Sequence, residues 1–427
     1  MKMKYRNRLE EFRQIKRDIR GSEKHLIVGM DVAKNTHHAF FGTATGKTLY
    51  RRLAFENSII GFEKLFLQVE ASMVQAGLEE VVFGLEPTAN YHKPLGEFLV
   101  RQGHTVVLVS GNAVKKNREL LDGRWDKNDT KDAANVADLI SQGKCLYYDY
   151  PSQLVRDLRA LLSFKRKLKK QEHSLRMRIR NHLIAQYFPE LDRHLGKCEQ
   201  ENLAIVKWCL NPAAMAEMDF KDFYNMVTTR DRGVRQRERL TTIWQDSSNS
   251  IGCECGLAAK HEAKMLVDSL KQLRKTITET NSMIDELCKQ CPEYKYILSI
   301  PGFGPAISAM TLGALGDPFR FNKTKQVLKM AGLDLSASRS GKNSNNITPV
   351  ISKKGKAELR YGLYQAGLIA SCKNKHFIKY FTDRLRGRER EKGIKTKMRV
   401  KLAAKMLVIS WTLMKKKELF DPAYLTT

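Results

Sequence analysis

Two short apolar runs each end in an acid: HLIVGMD at Asp31 and EEVVFGLE at Glu86. Runs of this length and composition suit strands buried on both faces of a sheet. In α/β sheets, sites form beyond the carboxyl ends of the strands, which is where both acids stand. The sequence around them supplies the rest of such a sheet. THHAFFGTATGKTLYRRLAF reads as two strands around the turn Thr45-Gly46-Lys47. An amphipathic helix follows from about Ser58 to Ala76, with Phe62, Leu65, Phe66 and Val69 on its apolar face. Residues 90–102 read as helix and HTVVLVS as another strand. The order β-β-β-α-β-α-β-α predicts an α/β domain over residues 25–150, with an antiparallel hairpin feeding a parallel sheet.

A second acidic feature lies in WDKNDTKDA, residues 125–133. A helix beginning near Thr130 puts Asp129 at or next to its N-cap and Asp132 three residues on, over the first turn. Carboxylates that close repel each other, and a divalent cation relieves the repulsion because hard cations take oxygen ligands. If the first and fourth strands are neighbours, Asp31 and Glu86 face each other and this helix brings Asp129 and Asp132 alongside. Four carboxylates around one cleft predict a metal site. Two ions about 4 Å apart suit the attacking and leaving oxygens of a phosphoryl transfer. Taken singly, each acid also reads as a strand-end cap, an N-cap or a surface charge.

Charge narrows the partner. Lys+Arg number 75 against 46 Asp+Glu, a net +29 over 427 residues. That excess is too large for an ordinary small-molecule enzyme and points to a polyanion. No apolar run approaches a bilayer span, and the N-terminus lacks the apolar core of a signal peptide, so no membrane partner is expected. The eight cysteines are sparse and irregularly spaced, which fits a reducing cytosol. Cys253-x-Cys255 and Cys288-x-x-Cys291 lack a glycine-rich knuckle context, and no zinc site is expected from them. Residues 1–24 are a basic extension with Leu9, Phe12, Ile15 and Ile19 at helical spacing. They form either an arm on nucleic-acid phosphate or a helix packed on the next domain.

Residues 151–292 read as a basic helical coiled-coil region with an insertion at 186–257. Leu154, Leu158, Leu161, Leu168, Leu175 and Ile179 make one seam, and Leu266, Leu270, Leu273, Ile277, Ile284 and Leu287 a second. The two pair antiparallel within one chain or between chains. On the first helix Lys165, Arg166, Lys169 and Arg176 belong to a run of charges of nearly one sign, which suits polyanion contact better than a solvated face.

Pro292 ends that region, and a mainly α C-terminal domain is expected over 293–427. LSIPGFGPAISAMTLGAL has the form of a helix-hairpin-helix, in which Gly302 and Gly304 would let the backbone approach a phosphate. The segment from Ser336 to Asn346 reads as an exposed loop carrying Ser336, Ser338, Ser340 and Ser344, with Arg339 and Lys342 between them. Nothing in its composition selects one serine.

The D…E…D-x-x-D order on this framework resembles the RuvC/RNase H-like nucleases. GMDVAKN, LEPTANY and KNDTKDA look more specifically like the N-terminal domain of the DEDD transposases of bacterial insertion sequences, a family that includes the pilin-gene inversion recombinase and the bridge-RNA-guided recombinases. SIPGFG, AGL…SRSG and SKKGKAELR look like the C-terminal transposase domain of the same family, in the same order. The resemblance covers about residues 25–145 and 293–420; the basic extension and the 186–257 insertion depart from compact members. It implies a nucleophilic serine at Ser340, which precedes Gly341, and Mg²⁺ (or Mn²⁺) held by Asp31, Glu86, Asp129 and Asp132. It implies donor and target DNA and a structured noncoding RNA as partners, in the bacterial cytoplasm at the nucleoid. It also implies a homo-oligomer, dimer or tetramer, with an active site shared between subunits. Gly302, Gly304, Arg339, Lys342, Lys353, Lys354 and the α-helical cations Lys165, Arg166, Lys169 and Arg176 are the expected nucleic-acid contacts. Two other readings remain: a hydrolytic junction resolvase or nuclease that uses the same acids with a metal-bound water, and a non-catalytic nucleic-acid-binding protein.

Overall fold

The structure, a computed structural model, describes residues 8–122, 129–195, 199–336 and 350–425. The chain divides into two compact units: residues 1–152 with 317–326, and residues 153–316 with 327–427.

The first unit opens with helix α1 (Arg8–Ile19), then β1 (His25–Asp31), β2 (Thr36–Thr43) and β3 (Thr48–Glu56). It continues with α2 (Ile59–Ala76), β4 (Glu80–Glu86), α3 (His92–Arg101), β5 (Thr105–Leu108), α4 (Gly111–Asp122), α5 (Asp129–Ser141) and the two-residue β6 (Leu146–Tyr147). The sheet order is β3-β2-β1-β4-β5-β6. β1, β4 and β5 run parallel, while β2, β3 and β6 run antiparallel to their neighbours. The hairpin therefore feeds a parallel sheet, as the strand pattern implies. Ser58 caps α2 by accepting from the Gly61 N–H, and Gly77 closes it in the left-handed conformation.

Both faces of the sheet are covered. Phe62, Leu65 and Val69 of α2 and Leu95 and Leu99 of α3 pack on Leu26, Val28, Phe83 and Leu85 on one face. On the other, Val114 of α4 and Val136 and Ile140 of α5 meet Ile27, Val82 and Val107. Ile19 of α1 joins this second core with no exposed surface, and Phe12 and Ile15 pack against it. Within the N-terminal segment, residues 8–19 are thus a helix packed on the domain, held also by Arg20 Nε donating to the Gln142 carbonyl at 2.9 Å. Residues 317–326 join this unit, where Arg320 meets Asp149 at 3.0 Å.

The second unit is helical. α6 (Gln153–Arg178) runs through a wider turn at 179–184 into the short α7 (Ala185–Tyr187). The insertion folds as α8 (Glu199–Trp208), α9 (Pro212–Ala216), α10 (Phe220–Val227) and α11 (Val234–Ser247). Its core of Leu183, Phe188, Ile205, Phe223, Leu240 and Ile243 closes on Val267 and Leu270 of α12 (Leu257–Lys289). α6 and α12 lie antiparallel: Arg178 meets Glu262 at 2.7 Å, Arg274 meets Glu172 at 3.1 Å, and Leu161 shares a groove with Leu287. Leu266, Leu270, Ile277 and Ile284 of the second seam are buried. The seams pair within one chain.

The unit ends with α13 (Tyr294–Leu298), α14 (Pro305–Leu315), α15 (Thr324–Ala331), a ribbon of β7 (Leu335–Ser336) and β8 (Val350–Ile351), then α16 (Ala357–Lys373), α17 (Lys375–Leu385) and α18 (Ile394–Lys416). Among the described residues no helix is long and apolar enough to cross a membrane.

Candidate active site

Residues alternate faces along a strand, so Gly29 and Asp31 share one face of β1, and Gly84 and Glu86 share the same face of β4. The register pairs Gly29 with Gly84 and Asp31 with Glu86. The glycine pair makes a flat seat for α5. A Cβ at Gly29 would stand 2.3 Å from the Ala133 carbonyl oxygen, and one at Gly84 1.9 Å from Ile140 Cδ1. At Gly29, where the neighbouring atoms are backbone, no side chain but hydrogen permits that approach. At the far end of α5, Asp138 and Ser141 share a cleft with Thr43 and Lys47, and Thr43 pairs with Leu26 at the opposite end of β1 from Asp31. α5 therefore runs antiparallel to β1 and carries its first turn, Asp129 to Asp132, toward Asp31 and Glu86.

The carboxylates have distinct surroundings. Asp31 and Glu86 are half-buried. The Glu86 carboxylate lies at the start of α4, where a Cβ on Gly111 would stand 2.7 Å from its Oε1. A helix N-terminus favours negative charge there. Asp132 is 2% exposed and ion-paired to Arg118 of α4, itself largely buried. Asn117 ties the same two helices together, donating to Asn135 at 3.1 Å and Asp138 at 2.8 Å. The Asp129 side chain lies outside the described residues, although α5 begins at that position. Among the described residues no group of three His, Cys, Asp or Glu side chains is placed to hold a metal ion. Asp31 and Glu86, paired in register across β1 and β4, are hard oxygen donors of the kind a divalent ion takes, while the Asp132 carboxylate is engaged by the Arg118 guanidinium. Arg118, Gly111 and Gly84 belong to none of the quoted motifs, and Gly29, which opens GMDVAKN, has no role of its own in the sequence pattern. The signal available for the glycines was their position two residues before each strand-end acid.

Ser340, Arg339 and Lys342 lie outside the described residues. The ends of their loop do not. Leu335 pairs with Ile351 and Ser336 with Val350, and Ser352 Oγ donates to the Asp334 carboxylate. Below the ribbon, a Cβ at Gly355 would stand 2.3 Å from the Gly332 nitrogen. The residues on either side of 337–349 thus meet in a closely packed ribbon. Lys353 and Lys354 follow it, both exposed.

The other expected contacts separate. A Cβ at Gly302 would stand 2.5 Å from the Ala366 carbonyl of α16, so this glycine, at φ +88°, serves helix packing. Gly304 has open space around its Cβ position and precedes α14 without a side-chain cap. Lys165, Arg166 and Lys169 share one face of α6, and Arg176 is exposed further along the helix.

A family model described as a transposase, of the DEDD type, matches residues 28–189, and the model of the transposase IS116/IS110/IS902 family matches residues 294–382. The chain is similar to an insertion element IS116 protein of Streptomyces clavuligerus, 23% identical over 410 residues, which covers 93% of this chain and 96% of the relative. It is also similar to an insertion element IS110 protein of Streptomyces coelicolor, 25% identical over 325 residues, which covers 74% of this chain and 77% of the relative. With the strand-end acids in the first matched segment and the stem of the serine loop in the second, the chain belongs to the IS116/IS110/IS902 family of insertion-element transposases.

Proposed function

We propose that this transposase cuts and rejoins DNA at the ends of its insertion sequence through a phosphoserine intermediate on Ser340. The observation that carries the acidic half of the reading is the register pairing of Asp31 with Glu86 beside the first turn of α5. Asp31, Glu86, Asp129 and Asp132 would hold Mg²⁺ (or Mn²⁺), with Asp132 exchanging its Arg118 partner. When bound, the ion neutralises charge on the scissile phosphate and favours the serine alkoxide. Ser340 Oγ forms a bond to phosphorus while one bond from phosphorus to a deoxyribose oxygen breaks, and that oxygen takes up the proton. The phosphoserine ester conserves the bond energy for rejoining. Arg118, once released from Asp132, remains beside the site as a cation able to meet phosphate.

The family resemblance supports three further parts of the reading. A structured noncoding RNA selects donor and target DNA, held mainly by its backbone and shape on the basic surface. The active protein is a dimer or tetramer in which Ser340 of one subunit meets the acids of another. It works in the bacterial cytoplasm, where its DNA lies.

The test is a circle-junction assay in cells, with the gene supplied in its native flanking DNA. Wild type should give rejoined junctions, and Ser340→Ala and Asp31→Asn should give none. Junctions persisting in Ser340→Ala would remove the serine from the reaction and favour a metal-activated water.

A further inference from the structure

One face of α6 carries Leu162, Lys165, Arg166 and Lys169 at spacings of three, one and three. With Met310 of α14 and Tyr361 of α16 this face lines a groove of about 500 Å³, in the size range of small-ligand clefts. Its cations are unequally compensated. Arg166 meets Glu358 at 3.3 Å. Lys169 meets Glu172 at 2.8 Å, a carboxylate it shares with Arg274. Lys165 is half-buried, and among the described residues no carboxylate pairs with it. Burial, with Lys169 beside it, pushes the Lys165 ammonium below its ordinary pKa. A cation in that position gains from an incoming anion.

Apolar surface adjoins these cations in the same groove. Tyr361 is 66% exposed although it borders the groove, and Leu162 and Met310 form the apolar lining beside it. α14 and α16, whose first turns reach the groove at Ala306 and Ala357, have no side-chain caps, so their N-terminal N–H groups also favour negative charge nearby. An exposed aromatic face beside a cluster of cations suits a nucleotide, with its base stacked and its phosphate paired.

We infer that this groove seats one unpaired nucleotide, with its phosphate among Lys165, Arg166 and Lys169 and its base on Tyr361. The base must be unpaired because a duplex hides both faces of each base in the stack. The inference rests on the reading of the chain as a DNA-processing enzyme and adds where, and in what form, a strand is held. DNA and RNA share the phosphate and base chemistry that defines the seat, and the experiment separates them.

The full-length protein is irradiated with single-stranded DNA or RNA oligonucleotides carrying 5-iodouracil, and cross-linked peptides are mapped. Affinities for labelled single strands and for duplex are measured alongside, in wild type, Tyr361→Phe, Tyr361→Ala and Lys165→Gln. The cross-link is expected at Tyr361, and the oligonucleotide that gives it identifies the strand. Tyr361→Ala should weaken single-strand binding about tenfold, with Tyr361→Phe within about twofold of wild type and duplex binding unchanged. Lys165→Gln should lower the salt dependence by about one phosphate contact. Cross-links mapping elsewhere, or equal losses in Tyr361→Ala and Tyr361→Phe, would overturn the seat. So would full competition by an acidic peptide that is insensitive to Tyr361→Ala. If those outcomes came with normal circle junctions, the transposase reading would stand and the seat alone would fall. Because Tyr361 is exposed, both its variants should melt as wild type does.

Discussion

Gly29 and Gly84 face each other across β1 and β4, two residues before Asp31 and Glu86 on the same face of the sheet. The pairing is what lets α5 rest on the strands and bring its acidic first turn to their ends. The two glycines are not equivalent. A Cβ at Gly29 would strike backbone, at 2.3 Å from the Ala133 oxygen, whereas a Cβ at Gly84 would strike only the tip of the Ile140 side chain.

Gly29→Ala should therefore cost about 3 kcal/mol or more and displace α5, while Gly84→Ala should cost about 1 kcal/mol as Ile140 changes rotamer. Urea melts of the full-length protein measure the difference. Equal costs would mean that α5 is not seated through backbone contact at Gly29.

Arg118 and Asp132 form a largely buried ion pair. Removing the cation leaves a carboxylate without compensation, so Arg118→Ala should destabilise the protein by about 3 kcal/mol in metal-free buffer. Mg²⁺ should then raise the melting temperature of Arg118→Ala more than that of wild type, because the ion no longer competes with the guanidinium. An identical Mg²⁺ response in both proteins would separate Asp132 from the proposed metal site.

His37 is fully buried beside the rings of Phe55 and Phe62, and burial holds its imidazole below the ordinary pKa, as it does for His92 and His104. In the unfolded chain these rings titrate at about 6.5. Below that pH the unfolded state binds protons that the folded state resists. Stability should be level above about pH 6.5 and should fall as pH drops toward the folded values, by up to about 1.4 kcal/mol per pH unit for each ring. His37→Leu should make that slope shallower. Chemical melts across this range test it, and an unchanged slope would discount His37.

Gly302 and Gly304 belong to one turn but answer to different demands. Gly302→Ala meets the Ala366 carbonyl at 2.5 Å with φ at +88°, and should cost about 3 kcal/mol. Gly304→Ala has open space and an ordinary φ of −99°, and should stay within about 1 kcal/mol of wild type. Weakened DNA affinity in Gly304→Ala with an unchanged melt would mark that position as a backbone contact. Comparable destabilisation of the two variants would show that the turn packs as a unit.

Much of this protein was legible in its sequence because local pattern controls local structure. The apolar runs ending at Asp31 and Glu86 became β1 and β4, and the signals at Ser58 and Gly77 bound α2 at the expected residues. Residues 129–141 are helical, as a helix from near Thr130 required, and residues 123–128 before them lie outside the described residues. Strand alternation and capping act over a few residues and leave their mark on any single stretch. Tertiary structure decided what depends on distant residues meeting. The heptad seams of α6 and α12 fitted either one chain or two, and the ion pairs of Arg178 with Glu262 and Arg274 with Glu172 close them within one chain. The basic N-terminal segment suited phosphate or a core, and the burial of Ile19 against Ile27 and Val107 settled residues 8–19 as a packed helix. Neither the role of Arg118 nor the seat made by Gly29 and Gly84 was legible in a motif, although Gly29 opens GMDVAKN, because an ion-pair partner and a close helix approach are defined only once α4, α5 and the sheet have come together.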